Sequence, residues 1–328
     1  MWLTGPRIIT AMADMRVLGM DAATASKQWV FKDTHPAYAL LTGTNGMVYV
    51  ESVGGMLTAL NSSTGVKVWE YKTGERTAPP ILGPDDVIYV ARTSTTPLAN
   101  GRRSMRQDLV ALHSGTGRVL WEFPIGSMFT AARPGPNGRL YAQSPTGRLY
   151  ALNAASGAKL WEVVLKPSTP RDLVLGADGT IYVEDRSGFS ISTVHPDTGA
   201  FRWELRSGRP NFNRGFGADG AVHVWNAPSF FTLDPSSGVR KWTRQLEGSL
   251  TASSSSPDGT VFLATSQGKL LALDAADGTT RWEKSCAPGV HFTSLTPGAG
   301  RLLFAISSDG KLIAFSEPTL QGIATRRN

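Results

Sequence analysis

A tryptophan that returns about every forty residues constrains this chain more than any other feature. Trp29, Trp69, Trp121, Trp161, Trp203, Trp242 and Trp282 are separated by 40, 52, 40, 42, 39 and 40 residues. Aligning the sequence on them brings three further columns into register. Four residues upstream stand Ala25, Gly65, Gly117, Gly157, Gly199, Gly238 and Gly278, and eight upstream stand Asp21, Asn61, His113, Asn153, His195, Asp234 and Asp274. Nine upstream the column is apolar: Met20, Leu60, Leu112, Leu152, Val194, Leu233 and Leu273. A fixed period of this length marks a repeat architecture, in which each unit buries its apolar surface against its neighbour.

The columns have a local meaning. Asp or Asn bonds the backbone that follows it, and Gly supplies the positive φ that closes a tight turn. Each motif, as in Leu271–Glu283, is therefore a hairpin whose second strand carries the tryptophan. About twenty residues before each tryptophan lies another strand with its own turn, such as Asp178-Gly179-Thr180-Ile181-Tyr182-Val183, and before that a strand of small residues such as Thr251–Ser255. Four short antiparallel strands per repeat predict an all-β fold, a β-propeller with one blade per repeat. The seven tryptophans then fill the gaps between blades, each stabilising the fold by about 1.5–3 kcal/mol.

Eight blades with irregular ends account for the chain better than seven, which would leave two N-terminal strands unplaced. The last repeat, 290–325, is degenerate, with Ala324 where an eighth tryptophan falls due. At the other end the innermost strand of the first blade has only Trp2–Gly5 to draw on, so within the one domain, 1–328, either the tail Glu317–Asn328 fills the gap or the chain starts within a longer gene product, the second reading being preferred. The 52-residue spacing comes from an insertion, Arg92–Gln107, expected as a loop between the second and third strands of its blade, on the face where the inter-blade connections also open.

The pattern Ala59-Leu60-Asn61-Ser62-Ser63-Thr64-Gly65-Val66-Lys67-Val68-Trp69-Glu70, repeated as Ala151–Glu162 and Ala272–Glu283, resembles the repeat of quinoprotein (PQQ-like) β-propellers. The resemblance spans nearly the whole chain and implies one of three roles. The non-catalytic BamB-like branch holds partner proteins in outer-membrane assembly. Other members serve as ligand-sensing or substrate-binding extracytoplasmic domains. A third group, the dehydrogenases, binds pyrroloquinoline quinone and calcium. Many of those enzymes carry a vicinal cysteine pair, and Cys286 is the single cysteine here. Hard cations also need clusters of oxygen ligands, whereas Ala78–Leu82 and Thr251–Ser256 contain no acid and Asp172 stands alone near its strand. The expectation is no catalytic residue, no metal and no cofactor, and a location in the periplasm or cell envelope, although no signal peptide opens the chain.

Other catalytic and metal signatures are lacking. The five histidines show no HxH or HxxxH spacing, and His113 and His195 fall in the turn column. No nucleophile elbow or phosphate-binding glycine loop lies in the context it requires. No run of apolar residues is long enough to span a membrane as a helix. A net charge of +7 favours acidic partners. The inter-blade segments contribute Arg76, Phe129, Arg133, Arg171, Arg209, Phe212, Arg214, His291 and Phe292, with Tyr38 in a position equivalent to Phe212, and the insertion adds Arg102, Arg103 and Arg106. Arginine with aromatic rings suits an acidic or extended protein segment, or a glycan. Nucleic acid is disfavoured, since no recognition module or dense basic stripe accompanies the charge. The chain is thus read as a monomeric, non-catalytic binding module.

Overall fold

In a computed structural model the described residues are 2–4, 7–11, 14–21, 23–24, 26–74, 78–97, 103–126, 131–144, 146–165, 170–176, 179–185, 190–206, 220–226, 228–298 and 302–316. Every regular element among them is a β-strand. The strands form eight antiparallel sheets spanning 2–32, 37–72, 81–124, 131–164, 170–206, 222–245, 250–285 and 292–316. Six have four described strands, and the sixth and eighth have three. Within each sheet the strands follow chain order as a meander, which is how a propeller blade is built. The fold is an eight-bladed β-propeller. At the N-terminus Trp2–Thr4 pairs with Arg7–Ala11, Leu3 opposite Ile8, so the stub supplies the fourth strand of the first sheet.

By compactness the chain divides into two units. One comprises Met1–Val174, Val183–Ser187 and His195–Ala200; the other comprises Leu175–Tyr182, Gly188–Val194 and Phe201–Asn328. Each has its own core. In the first unit, Tyr89, Leu109 and Ala111 pack with Leu140, Ala142 and Leu152 from the following sheet. In the second, Leu263, Leu271 and Leu273 pack against Trp225, Phe230 and Trp242.

The turn column behaves as its chemistry dictates. Asn61 Oδ1 accepts the N–H groups of Ser63 and Thr64 at 2.9 and 3.1 Å, and Gly65, at φ +71°, donates its N–H to the Asn61 carbonyl at 2.8 Å. His113 and His195 do the same work with Nδ1, which accepts the N–H of Gly115 at 3.2 Å and of Asp197 at 3.1 Å. At Asp234, hydrogen bonds from the Ser236 and Ser237 hydroxyls hold the carboxyl down at about 2.

The same turns seat the tryptophans. Trp29 Nε1 donates to the Ser62 carbonyl at 3.0 Å, Trp69 to Ser114 at 2.8 Å and Trp121 to Ala154 at 2.9 Å. Trp161 donates to Pro196 at 3.0 Å, Trp203 to Pro235 at 3.1 Å and Trp242 to Ala275 at 2.9 Å. Each indole thus bonds the turn of the next repeat, one residue past its Asp, Asn or His. Its ring lies flush on that turn's glycine. A Cβ added at Gly65, Gly117, Gly157, Gly199, Gly238 or Gly278 would stand 2.5–2.8 Å from ring carbons of the preceding tryptophan. An aromatic residue of the same sheet backs the indole, as Tyr49 does for Trp69 at 5.8 Å between ring centroids and Tyr141 for Trp161 at 5.9 Å. Tyr49 and Tyr141 also donate to the carbonyl their tryptophan uses, at 3.3 and 3.2 Å. Trp29, Trp69, Trp121 and Trp242 are buried, while Trp161, Trp203 and Trp282 are half-buried. Trp282 stacks on Phe315 of the last sheet at 6.2 Å.

Candidate functional site

The described parts of the insertion, 92–97 and 103–107, are strand and not loop. They lengthen the second and third strands of the third sheet to Val87–Pro97 and Arg103–His113, 11 residues each, against 6 in Met47–Ser52 and Met56–Asn61 of the sheet before. The pairing stays in register throughout, with Arg92 opposite Asp108, Ser94 opposite Arg106 and Pro97 opposite Arg103. Threonine-rich sequence such as Thr93-Ser94-Thr95-Thr96 suits a strand, because β-branched side chains fit a pleated surface. The result is a two-stranded ribbon that extends the sheet beyond its neighbours.

Its base is braced by charge. Arg92 makes a forked contact with Glu122 of the fourth strand, Nη1 to Oε1 at 2.5 Å and Nη2 to Oε2 at 2.6 Å, and a further bond to Asp108 Oδ2 at 3.0 Å. Hydrogen bonding to Glu122 is the main reason the Arg92 pKa is raised. Arg106 Nε reaches the other oxygen of Asp108 at 3.1 Å, yet its side chain stays 58% exposed. On the opposite face of the ribbon, Gln107 Nε2 donates to Thr93 Oγ1 at 2.9 Å, both residues buried. The backbone ties the base to adjoining connections. Thr93 N–H bonds the Thr73 carbonyl at 2.8 Å, and the N–H groups of Ile125 and Gly126 bond the Gln107 carbonyl at 3.2 and 3.1 Å. Residues 73–74 lead to the third sheet and 125–126 leave it, so the ribbon stands on the face where inter-blade connections open.

Of the candidate side chains, Arg106 and His291 can be placed. Arg106 lies on the ribbon; half-buried His291 accepts the Ser308 N–H at its carbonyl at 2.8 Å in the turn of the last sheet, and its own N–H donates to Ser308 Oγ at 3.3 Å. Arg103 and Arg171 lie in strands, Arg103–His113 and Pro170–Leu175. Arg76, Arg102, Phe129, Arg209, Phe212 and Arg214 lie outside the described residues. Arg133 is exposed and donates to the Ala132 carbonyl at 3.0 Å, and Tyr38 is half-buried. Phe292 corrects the expectation of a partner-facing ring. It is 2% exposed, packed edge-on to Phe315 at 5.6 Å, and belongs to the core.

The described residues offer little to the calcium that the dehydrogenases hold with their quinone. The first strands Ala37–Thr42, Ile81–Leu82, Ala131–Gly135, Leu250–Ser255 and Phe292–Pro297 hold no carboxylate, and Asp172 is the one acid in Pro170–Leu175. Among the described residues no three His, Cys, Asp or Glu side chains gather as calcium would require.

Comparison with known proteins places these features. The chain is 27% identical over 299 residues to the serine/threonine-protein kinase AfsK of Streptomyces griseus, covering 83% of this chain and 34% of that one. It is 24% identical over 345 residues to a polyvinylalcohol dehydrogenase of Sphingopyxis, 88% and 49% covered, so the chain spans a third to a half of these relatives' lengths. Over 310 residues it is 25% identical to outer membrane protein assembly factor BamB of Moranella endobia, 82% and 75% covered. The crystal structure of BamB from Moraxella catarrhalis superposes with a TM-score of 0.55 at 17% identity, over 95% of this chain and 94% of that one. The family described as outer membrane protein assembly factor BamB matches residues 2–130, 105–222 and 231–322, nearly the whole sequence. On that match and this fold, the chain belongs to the BamB family of PQQ-like β-propellers.

Proposed function

We propose that the protein is a non-catalytic scaffold of the cell envelope, of the outer-membrane-assembly kind, which holds an acidic or extended polypeptide on the face where the ribbon stands. The observation that carries this reading is the ribbon itself. Residues 92–107 contain Arg92, Arg102, Arg103 and Arg106 and no acid, and the Arg92–Glu122–Asp108 brace holds the strands Val87–Pro97 and Arg103–His113 together. A rigid basic projection presents its charge without a large ordering cost on binding. The BamB relatives support the protein-holding role, since their name describes assembly of outer-membrane proteins. The test is capture of envelope proteins by the immobilised chain and by a variant with Arg102, Arg103 and Arg106 replaced by alanine. Capture should weaken in the variant and fall with salt, as exposed charge contacts do. An unchanged set of captured proteins would overturn the reading.

A sensing role within a longer protein is the second reading. It is favoured by the kinase relative, of which this chain spans 34%. A peptide or sugar that raises the melting temperature while the arginine variant captures normally would favour it over the first.

A further inference from the structure

We infer that the ribbon takes its partner by strand addition, along the outer edge of Arg103–Arg106 and in a carboxylate-rich extended segment. This deepens the binding reading above and rests on it.

The backbone register carries the inference. In an antiparallel pair, opposed residues alternate between those bonded to each other and those whose N–H and C=O both point outward. Thr93 N–H bonds outward to Thr73 and the Gln107 carbonyl bonds outward to Ile125 and Gly126, so the pair Thr93–Gln107 is of the outward kind. Stepping by two, Thr95–Met105 and Pro97–Arg103 are outward as well. Lower in the sheet the outward groups of the third strand are taken by Val119–Pro124, and that pairing ends at Asp108 opposite Pro124. Beyond Gln107, among the described residues, no strand and no backbone bond reaches either edge of the ribbon.

The two edges differ. On the second strand the outward row is Thr95 and Pro97, and a proline has no N–H to donate, which blunts an edge against pairing. On the third strand the row is Arg103 and Met105, and no described residue bonds their outward groups, which an added strand would take. That added strand would continue the line that Val119–Pro124 leaves. Charge selects its chemistry. Arg106 is exposed with one oxygen of Asp108 beside it, and in the sequence residues 92–107 carry four arginines and no acid. Met105, 47% exposed, adds an apolar surface next to the edge for an alternating side chain of the guest.

The test uses the full chain and a fluorescein-labelled peptide of alternating glutamate and valine, followed by polarisation. Met105→Pro removes an outward donor while sparing the bonds across the ribbon, and Thr95→Pro does the same on the opposite edge. Met105→Pro should weaken peptide binding about tenfold, the effect of one lost donor and a hindered approach, while Thr95→Pro stays within about twofold of the parent. Amide hydrogen exchange on the unsubstituted chain tests the point independently of how well prolines are tolerated. Bound peptide should slow exchange at Met105 and leave Thr95 unaltered. No binding by the parent chain, protection at Thr95 alone, or protection at neither amide overturns the inference. If the triple arginine variant loses the peptide while Met105→Pro keeps it, the basic face binds without strand addition, so the inference falls and the binding reading stands. If neither loses it, both fall.

Discussion

The seating of one repeat's tryptophan on the next repeat's glycine can be isolated by comparing two glycine-to-alanine substitutions. Gly117 and Gly46 both close turns at positive φ, +69° and +75°. Alanine at either incurs the left-handed backbone penalty of about 1–2 kcal/mol, offset by about 0.4–1 kcal/mol from the stiffer unfolded chain. At Gly46 nothing lies within 4 Å of the new methyl group, so the net cost should be about 1 kcal/mol. At Gly117 the methyl group meets Trp69 ring carbons at 2.7, 2.8 and 3.1 Å, inside the 3.4 Å where ordinary contact begins. The indole has little room to retreat, because its Nε1 is tied to the Ser114 carbonyl at 2.8 Å in the same turn and Tyr49 backs it. Overpacking should add about 1–3 kcal/mol, for a total of about 2–4 kcal/mol. Urea unfolding followed by circular dichroism reads the difference as a lower midpoint for Gly117→Ala at unchanged slope. Repeat arrays depart from two-state behaviour, so the two variants are compared with each other rather than converted to absolute stabilities. In a Trp69→Leu background the excess penalty of Gly117→Ala should disappear, the signature of a direct contact in a double-mutant cycle. Equal midpoints for Gly117→Ala and Gly46→Ala in the parent chain would refute the docking account.

Three further outcomes follow from the same geometry. Burial pushes the Tyr89 and Tyr141 hydroxyls up to about 12 from 10.0; a pKa raised on folding means stability complete below pH 10 and lost as pH climbs toward 12, so the alkaline melting transition should move upward in Tyr89→Phe and Tyr141→Phe relative to the neutral one. Asp234 shifts the opposite way, from 3.8 to about 2, so its contribution is present above pH 3.8 and fades as pH falls to 2; Asp234→Asn should lower the melting temperature by a constant amount above pH 5, a deficit that closes as pH falls toward 2. Pyrroloquinoline quinone with calcium should neither raise the melting temperature nor support dye-linked alcohol oxidation, and a saturable shift of several degrees would return the dehydrogenase reading to contention.

What could be read from the sequence follows a physical divide. Contacts within a turn were legible, because Asn61, Gly65 and their bonded neighbours lie within a few residues of one another, and the turn chemistry is local. The second duty of the glycine column was not, since Gly117 meets a ring 48 positions earlier in the chain, a contact that spacing does not display. A clue nonetheless stood in the alignment. Asn tolerates the left-handed region, so turn geometry alone would let it share the column, yet six of seven positions are glycine. The exception, Ala25, belongs to the first repeat, which no motif tryptophan precedes in this sequence. A column that keeps glycine wherever a tryptophan comes one repeat before it is reporting a close approach as well as a turn.

The insertion shows the opposite failure. Serine, threonine, proline and the pair Asn100-Gly101 read as loop composition, but strand pairing is decided by what two segments offer each other. Thr93–Pro97 and Arg103–Gln107 each continue a strand already paired below them, and adding one more pair to an existing ladder is easier than starting one. The bracing charges could have hinted at this: Arg92 and Asp108 lie at opposite ends of the insertion and face each other directly only if it folds as a hairpin in register. The same register separates Arg92, committed to Glu122 and Asp108, from Arg106, which keeps 58% of its side chain in solvent. Arg92 and Arg106, alike in the sequence, therefore divide into one that builds the projection and one that stands in solvent, and only the pairing of strands makes that division.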